Sequence, residues 1–302
     1  MLANVAAVYF IILFIKCKFI LINKMNLKTF IKWSGNKSKQ LKHLLPNVPS
    51  QYNTYIEPFV GSGALFLKLQ PSKWIINDLN KDLVNCWNSI KNTPNEIITI
   101  FNVFGNIFKN MENKNKIELC KHLTTELNSM QYDSKRASVY MLMKFCVYNG
   151  NILLKNRFYF GGLDMNIYIR NQYYFLEEKM QTNIININNF VNTTAGRIYN
   201  TDYKKILLKA KSGDFVFLDP PYIEDHNYNF NYNKNEILDI DFIKDLYLQA
   251  CRLDDIGAYW MMTQADTPEI HILFNEFKII KYTVYRAGLK EYVNELLIMN
   301  YV

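Results

Sequence analysis

Residues 54–69 read "TYIEPFVGSGALFLKL", and this stretch decides the fold. A short run of β-favouring residues, 54–60, meets two glycines separated by a serine, and "ALFLKL" then follows with the apolar spacing of a helix. Strand, tight turn and helix in direct succession open a parallel α/β sheet. The turn falls at the strand's carboxyl end, where open sheets of this kind bind nucleotide-containing ligands.

The pattern extends outward. "KWIINDLN", 73–80, is a second strand ending at an acid, and "KDLVNCWNSIKNTP", 81–94, is a helix closed by Pro94. From about residue 91 to 175 the texture changes to helices, such as "SKRASVYMLMKFCVYNG", and to two aromatic strands in "NRFYFGGLDMNIYI" that turn at Gly161 and Gly162. The α/β alternation then resumes with helical "NIININNFVNTTA", the strands "RIYNTDY" and "DFVFLDPPY", a helix from about Asp241 to Leu253, and three further strands. The fold expected is α/β: a Rossmann-like sheet with an inserted, mostly helical domain carrying a β-hairpin. Residues 25–90 and 176–302 form the sheet domain, 91–175 form the insert, and 1–24 form an apolar extension.

That extension, "MLANVAAVYFIILFIKCKFILINK", is interrupted by Lys16 and Lys18. The apolar run is therefore shorter than the roughly 20 residues of a spanning helix. Its charges also follow the apolar run, the reverse of a secretory signal. Met25 is the expected functional start, and a membrane anchor is the competing reading. The expected location is cytoplasmic or DNA-associated.

The 302 residues are 49% hydrophobic and 21% charged, a globular composition, and the net charge of +8 suits a polyanionic partner. Cys17, Cys86, Cys120, Cys146 and Cys251 are scattered without a CxxC pair, so neither a zinc site nor a disulfide framework is indicated.

The glycine turn argues against two ligand classes. A dinucleotide fingerprint needs a third glycine where Phe66 stands, and a P-loop needs Lys followed by Ser or Thr after its glycines. Asp78, ending the next strand, is placed to accept hydrogen bonds from ribose hydroxyls. A ligand with a free ribose and no pyrophosphate fits, and S-adenosyl-L-methionine is one. A glycine turn followed by a helix-capping aspartate is the alternative.

Four segments in order, "FIKWSGNK" (30–37), "YIEPFVGSGALFL" (55–67), "INDLN" (76–80) and "FLDPPY" (217–222), give the chain its resemblance to the Dam-type adenine-N6 DNA methyltransferases, from about Phe30 to Tyr301. The resemblance implies S-adenosyl-L-methionine as cofactor and double-stranded DNA as partner, with neither metal nor protein partner. It assigns cofactor contacts to Trp33, Lys37, Phe59, Gly61, Gly63, Asp78, Asp202, Tyr203 and Asp219, and catalysis to Asp219, Pro220, Pro221 and Tyr222. DNA contacts fall to Lys144, Tyr148, Asn149 and Arg157 of the insert and to Phe230 and Tyr232 of the loop after Tyr222. Lys135, Arg136, Lys155 and Arg170 add basic charge suited to phosphates.

The chemistry agrees with the resemblance. The exocyclic amine of adenine is a poor nucleophile because its lone pair is delocalised into the ring. A carboxylate and a backbone carbonyl accepting its two N–H bonds favour a pyramidal nitrogen, and proline offers the carbonyl with no competing donor. Cytosine-N4 methylation uses the same chemistry and is one alternative. A non-catalytic DNA-binding module on the same fold is another.

Overall fold

The computed structural model describes residues 25–146, 153–154, 157–158, 178–222, 240–286 and 291–302. The extension 1–24 lies outside them, as do Tyr148, Asn149, Lys155, Arg170, Phe230 and Tyr232.

The strands are β1 (Tyr55–Glu57), β2 (Lys73–Asn77), β3 (Leu153–Leu154), β4 (Arg157–Phe158), β5 (Ala195–Tyr199), β6 (Phe215–Leu218), β7 (Tyr259–Ala265), β8 (Lys278–Arg286) and β9 (Glu291–Met299). The helices are α1 (Leu41–Leu44), α2 (Ala64–Leu69), α3 (Lys81–Asn92), α4 (Pro94–Lys109), α5 (Asn113–Glu126), α6 (Ser134–Cys146), α7 (Glu178–Thr193), α8 (Tyr203–Leu207), α9 (Ile240–Asp255) and α10 (Pro268–Leu273). Seven strands form one sheet in the order β5-β2-β1-β6-β7-β9-β8. Neighbours from β5 to β7 pair in parallel, and β9 runs antiparallel to both β7 and β8. The chain leaves β1 towards β2 on one side and returns to β6 on the other. The cleft above β1 and β6 is therefore the sheet's topological switch point.

Strand periodicity sorts the core into two layers. Tyr55, Phe215, Phe217, Met261 and Leu297 face a layer that continues through Trp87, Phe101, Phe108, Tyr140 and Phe190 of the helices. Ile56, Val216, Leu218, Trp260 and Met262 face the opposite way, onto α8, α9 and α10. The inserted helices α4 to α6 thus share one apolar core with the sheet. Full burial of a side chain such as Phe101 or Trp260, both 0% exposed, contributes on the order of 1.5–3 kcal/mol.

Two local expectations are corrected. Pro94 begins α4 instead of closing α3, because a first-turn proline has no hydrogen bond to lose. Leu153 pairs with Phe158 and Leu154 with Arg157 in a two-stranded antiparallel ladder, and the turn expected at Gly161 and Gly162 lies outside the described residues. In "RIYNTDY" the strand stops at Tyr199, since Asp202 caps α8 by accepting the Lys204 N–H at 2.8 Å.

Candidate active site at the switch point

The segment before the sheet is pinned by Leu27, Phe30 and Ile31, all buried, with the Phe30 ring meeting Trp87 edge-on at 4.7 Å. This anchorage brings Trp33 and Lys37 to the carboxyl ends of β1 and β6. At the end of β1, Gly61 has φ +50 and lies under Trp33, whose Nε1 would be 3.0 Å from an added Cβ. Gly63, at φ +70, caps α2 against Trp87, whose ring would be 2.6 Å from an added Cβ. Gly63→Ala therefore combines left-handed strain with overpacking. It is expected to destabilise the protein by about 2–4 kcal/mol, measured by urea unfolding.

Asp78 accepts the Gly61 N–H at 3.0 Å on Oδ2 and the Asn80 N–H at 2.9 Å on Oδ1. The Leu79 N–H is directed at the same carboxylate, which with about four acceptor sites still has capacity for a ribose hydroxyl. Burial raises the Asp78 pKa to about 6, against the pull of those backbone N–H groups. The neighbouring loops are fixed by Asn77, whose amide donates to the Pro58 carbonyl at 2.9 Å and the Thr201 carbonyl at 3.0 Å. Phe59 and Tyr203 pack ring to ring at 5.0 Å, and the Tyr203 hydroxyl bonds to Asp245. Turn, diol acceptor and aromatic wall fit a ribose-bearing methyl donor.

Asp219 follows β6 at the same edge. Its Oδ1 takes an ion pair from Lys37 Nζ at 2.7 Å and a hydrogen bond from Thr263 Oγ1 at 2.6 Å. No hydrogen bond from the described residues reaches Oδ2. Burial raises the Asp219 pKa, while Lys37 and Thr263 oppose the rise. Lys37 also donates to the Gly35 carbonyl at 3.2 Å and lies 4.9 Å from the Tyr222 ring centroid. In this arrangement it clamps the Asp219 carboxylate. Pro220 is buried, Pro221 and Tyr222 are half-buried, and burial raises the Tyr222 pKa well above its ordinary value.

Two members of the expected basic set lie elsewhere. Arg136 is 5% exposed, pairs with Asp82 at 2.6 Å and donates to the carbonyls of Leu127 and Met130, so it braces the insert and does not face phosphate. Lys144 lies 4.5 Å from the Trp33 ring centroid, and burial lowers its pKa to about 8. That position adjoins the glycine turn. Arg157 lies in β4.

Sequence reasoning missed three polar residues beside the site. Glu57, 2% exposed, accepts from Tyr55 at 2.9 Å, and burial pushes its carboxyl well above the carboxylate range. Thr263 and Glu295 are buried too. The available signal was a polar residue in the buried phase of an apolar strand, as Glu295 stands with Leu297 and Met299.

Residues 33–287 match the family model described as D12 class N6 adenine-specific DNA methyltransferase. The chain belongs to this family. It is 30% identical over 293 residues to a type II methyltransferase of Lactococcus lactis subsp. cremoris, covering 92% of this chain and 97% of that protein. It is 28% identical over 298 residues to a type II methyltransferase of Methanocaldococcus jannaschii, covering 92% and 100%. A DNA adenine methylase of Escherichia coli K12 is 26% identical over 199 residues, 65% of each chain. Membership sets adenine-N6 methylation above the cytosine-N4 alternative, and the seven-stranded sheet is a Rossmann-like methyltransferase fold. In this D12 chain no helix among the described residues is long and apolar enough to cross a membrane, and none of their His, Cys, Asp and Glu side chains group to hold a metal.

Proposed function

We propose that this protein is a site-specific DNA methyltransferase that transfers the methyl group of S-adenosyl-L-methionine to N6 of an adenine turned out of double-stranded DNA. The observation that carries the reading is Asp219 at the switch point, with Oδ1 held by Lys37 and Thr263 and Oδ2 open to an incoming N–H. When bound, the cofactor supplies an electrophilic sulfonium methyl group. Asp219 Oδ2 and the Pro220 carbonyl would accept hydrogen bonds from the two amine N–H groups and direct the nitrogen lone pair at that methyl group, the donor leaving as a neutral thioether and one amine proton being lost after transfer. Tyr222 gives the extruded base a face to stack on. Asp78 accepts the ribose hydroxyls, Gly61 and Gly63 admit the methionine part beside Trp33, and Phe59, Asp202 and Tyr203 border the adenine.

Residues 91–175 form the DNA-reading insert in this proposal. Arg157, Tyr148 and Asn149 are its contacts, Phe230 and Tyr232 cover the base, and Lys144 serves the junction between insert and cofactor site. Pairing with a restriction endonuclease is consistent with the two type II relatives. The test is transfer of labelled methyl from S-adenosyl-L-methionine to duplex DNA of mixed sequence. Absence of labelled DNA would refute the proposal.

A pH dependence follows from Asp78. Its raised pKa means that the neutral form is favoured below about pH 6, and the carboxylate needed to accept two hydroxyls exists above it. Donor affinity is expected to fall about tenfold per pH unit below that value and to be flat above it. Isothermal titration across pH 4.5–8 checks this, with Asp78→Asn expected to bind weakly at every pH. A flat wild-type profile contradicts the assignment.

A further inference from the structure

The hydroxyl of Tyr222 does not end in solvent. It donates to Glu295 Oε2 at 3.2 Å, across 73 residues of sequence, and the same oxygen accepts from Tyr282 at 3.2 Å. Glu295 Oε1 receives Arg286 at 3.2 Å and Gln40 Nε2 at 3.4 Å. Four donors from three parts of the chain thus converge on one carboxylate that is 2% exposed. Arg286 balances its charge and also lies 5.5 Å from the Tyr222 ring centroid. Gln40 caps the single helical turn that carries Lys37, the residue paired with Asp219. Thr263, which hydrogen-bonds Asp219, also lies near the Tyr222 hydroxyl, so the two polar groups share one neighbourhood.

A buried carboxylate is costly unless its acceptor sites are filled, and hydrophobic residues of like volume often stabilise at least as well. Simple cohesion of β8 and β9 does not call for this arrangement, because Val284 and Val293 pair within the same ladder without any charge. What a carboxylate supplies here is direction. It fixes a tyrosine ring by its far end.

We propose that Glu295 is a positioning residue for methyl transfer: by holding the Tyr222 hydroxyl it sets the plane on which the target base stacks, and through Gln40 it keeps that plane in register with the Lys37–Asp219 pair. The inference rests on the transferase reading above. It assigns no contact with substrate to Glu295 itself.

The test is a double-substitution cycle of Glu295→Gln and Tyr222→Phe, read as kcat, donor KM and melting temperature. Each single variant is expected to lose at least about tenfold in kcat with donor KM within about threefold. The phenylalanine variant keeps the ring and removes only the hydroxyl. In the Tyr222→Phe background, Glu295→Gln should cost less than about threefold more, because the route through the Tyr222 hydroxyl is already lost and only the longer Gln40 contact at 3.4 Å remains. Effects that multiply overturn the inference, as does wild-type kcat in Tyr222→Phe. That second result stands even if Glu295→Gln fails to fold. If the wild type labels no DNA, the transferase reading fails. If it labels DNA while the cycle is multiplicative, the positioning role alone fails.

Discussion

Asp219→Ala is expected to lower methyl transfer by about three orders of magnitude or more while leaving donor affinity within a few-fold of wild type. In the proposed reaction the carboxylate stands at the reacting nitrogen, whereas the proposed ribose acceptor, Asp78, follows the next strand but one, so the two functions separate by position. Of the two acceptors proposed for the amine, the Pro220 carbonyl survives the substitution. Alone it cannot direct the lone pair, and the loss falls on kcat. The variant also leaves the Lys37 ammonium, 6% exposed, without its carboxylate, so a lower melting temperature accompanies the kinetic defect. Single-turnover kinetics with saturating donor, on protein shown to be folded at the assay temperature, isolates the chemical effect. Transfer at the wild-type rate would remove Asp219 from the mechanism.

The second large effect is structural. Arg136→Ala should destabilise the protein by about 3–5 kcal/mol, because it strands the Asp82 carboxylate, 9% exposed, in a low-dielectric setting. The carbonyls of Leu127 and Met130 lose their donor as well, and they end the turn between α5 and α6. Urea unfolding gives the stability directly. Native stability combined with weakened DNA binding would return Arg136 to the phosphate-contacting set. The arginine was placed in that set because sequence shows charge but not burial, and its partner Asp82 is 54 residues away.

The same distinction governs what else was legible. The glycine turn, Asp78 and the DPPY stretch announce themselves because each is local: a backbone that must turn tightly, an acid at a strand end, an acceptor pair on consecutive residues. The first two point to a ligand near β1, and the third points to chemistry at β6. That β1 and β6 are neighbours follows from sheet topology, which places all three at one edge. Thr263 and Glu295 show in sequence only as polar residues in a buried strand phase, and what they hold does not show, because their partners Asp219 and Tyr222 are 44 and 73 residues distant. Lys37 was expected against the cofactor, and its ion pair with Asp219 depends on how Phe30 and Ile31 seat the N-terminal segment in the core. Pro94 was misassigned for a different reason. Proline both stops and starts helices, and the choice is made by the next turn's apolar face, where Ile97 and Phe101 are fully buried.

The central claim is that the Asp219–Pro220 acceptor pair serves an adenine amine in DNA. The most direct measurement is mass spectrometry of nucleosides from duplex DNA of mixed sequence incubated with the protein and S-adenosyl-L-methionine carrying a deuterated methyl group. The account predicts labelled N6-methyladenine with wild-type protein and none above background with Asp219→Ala. Label in N4-methylcytosine, or unlabelled DNA with folded wild-type protein, would contradict it.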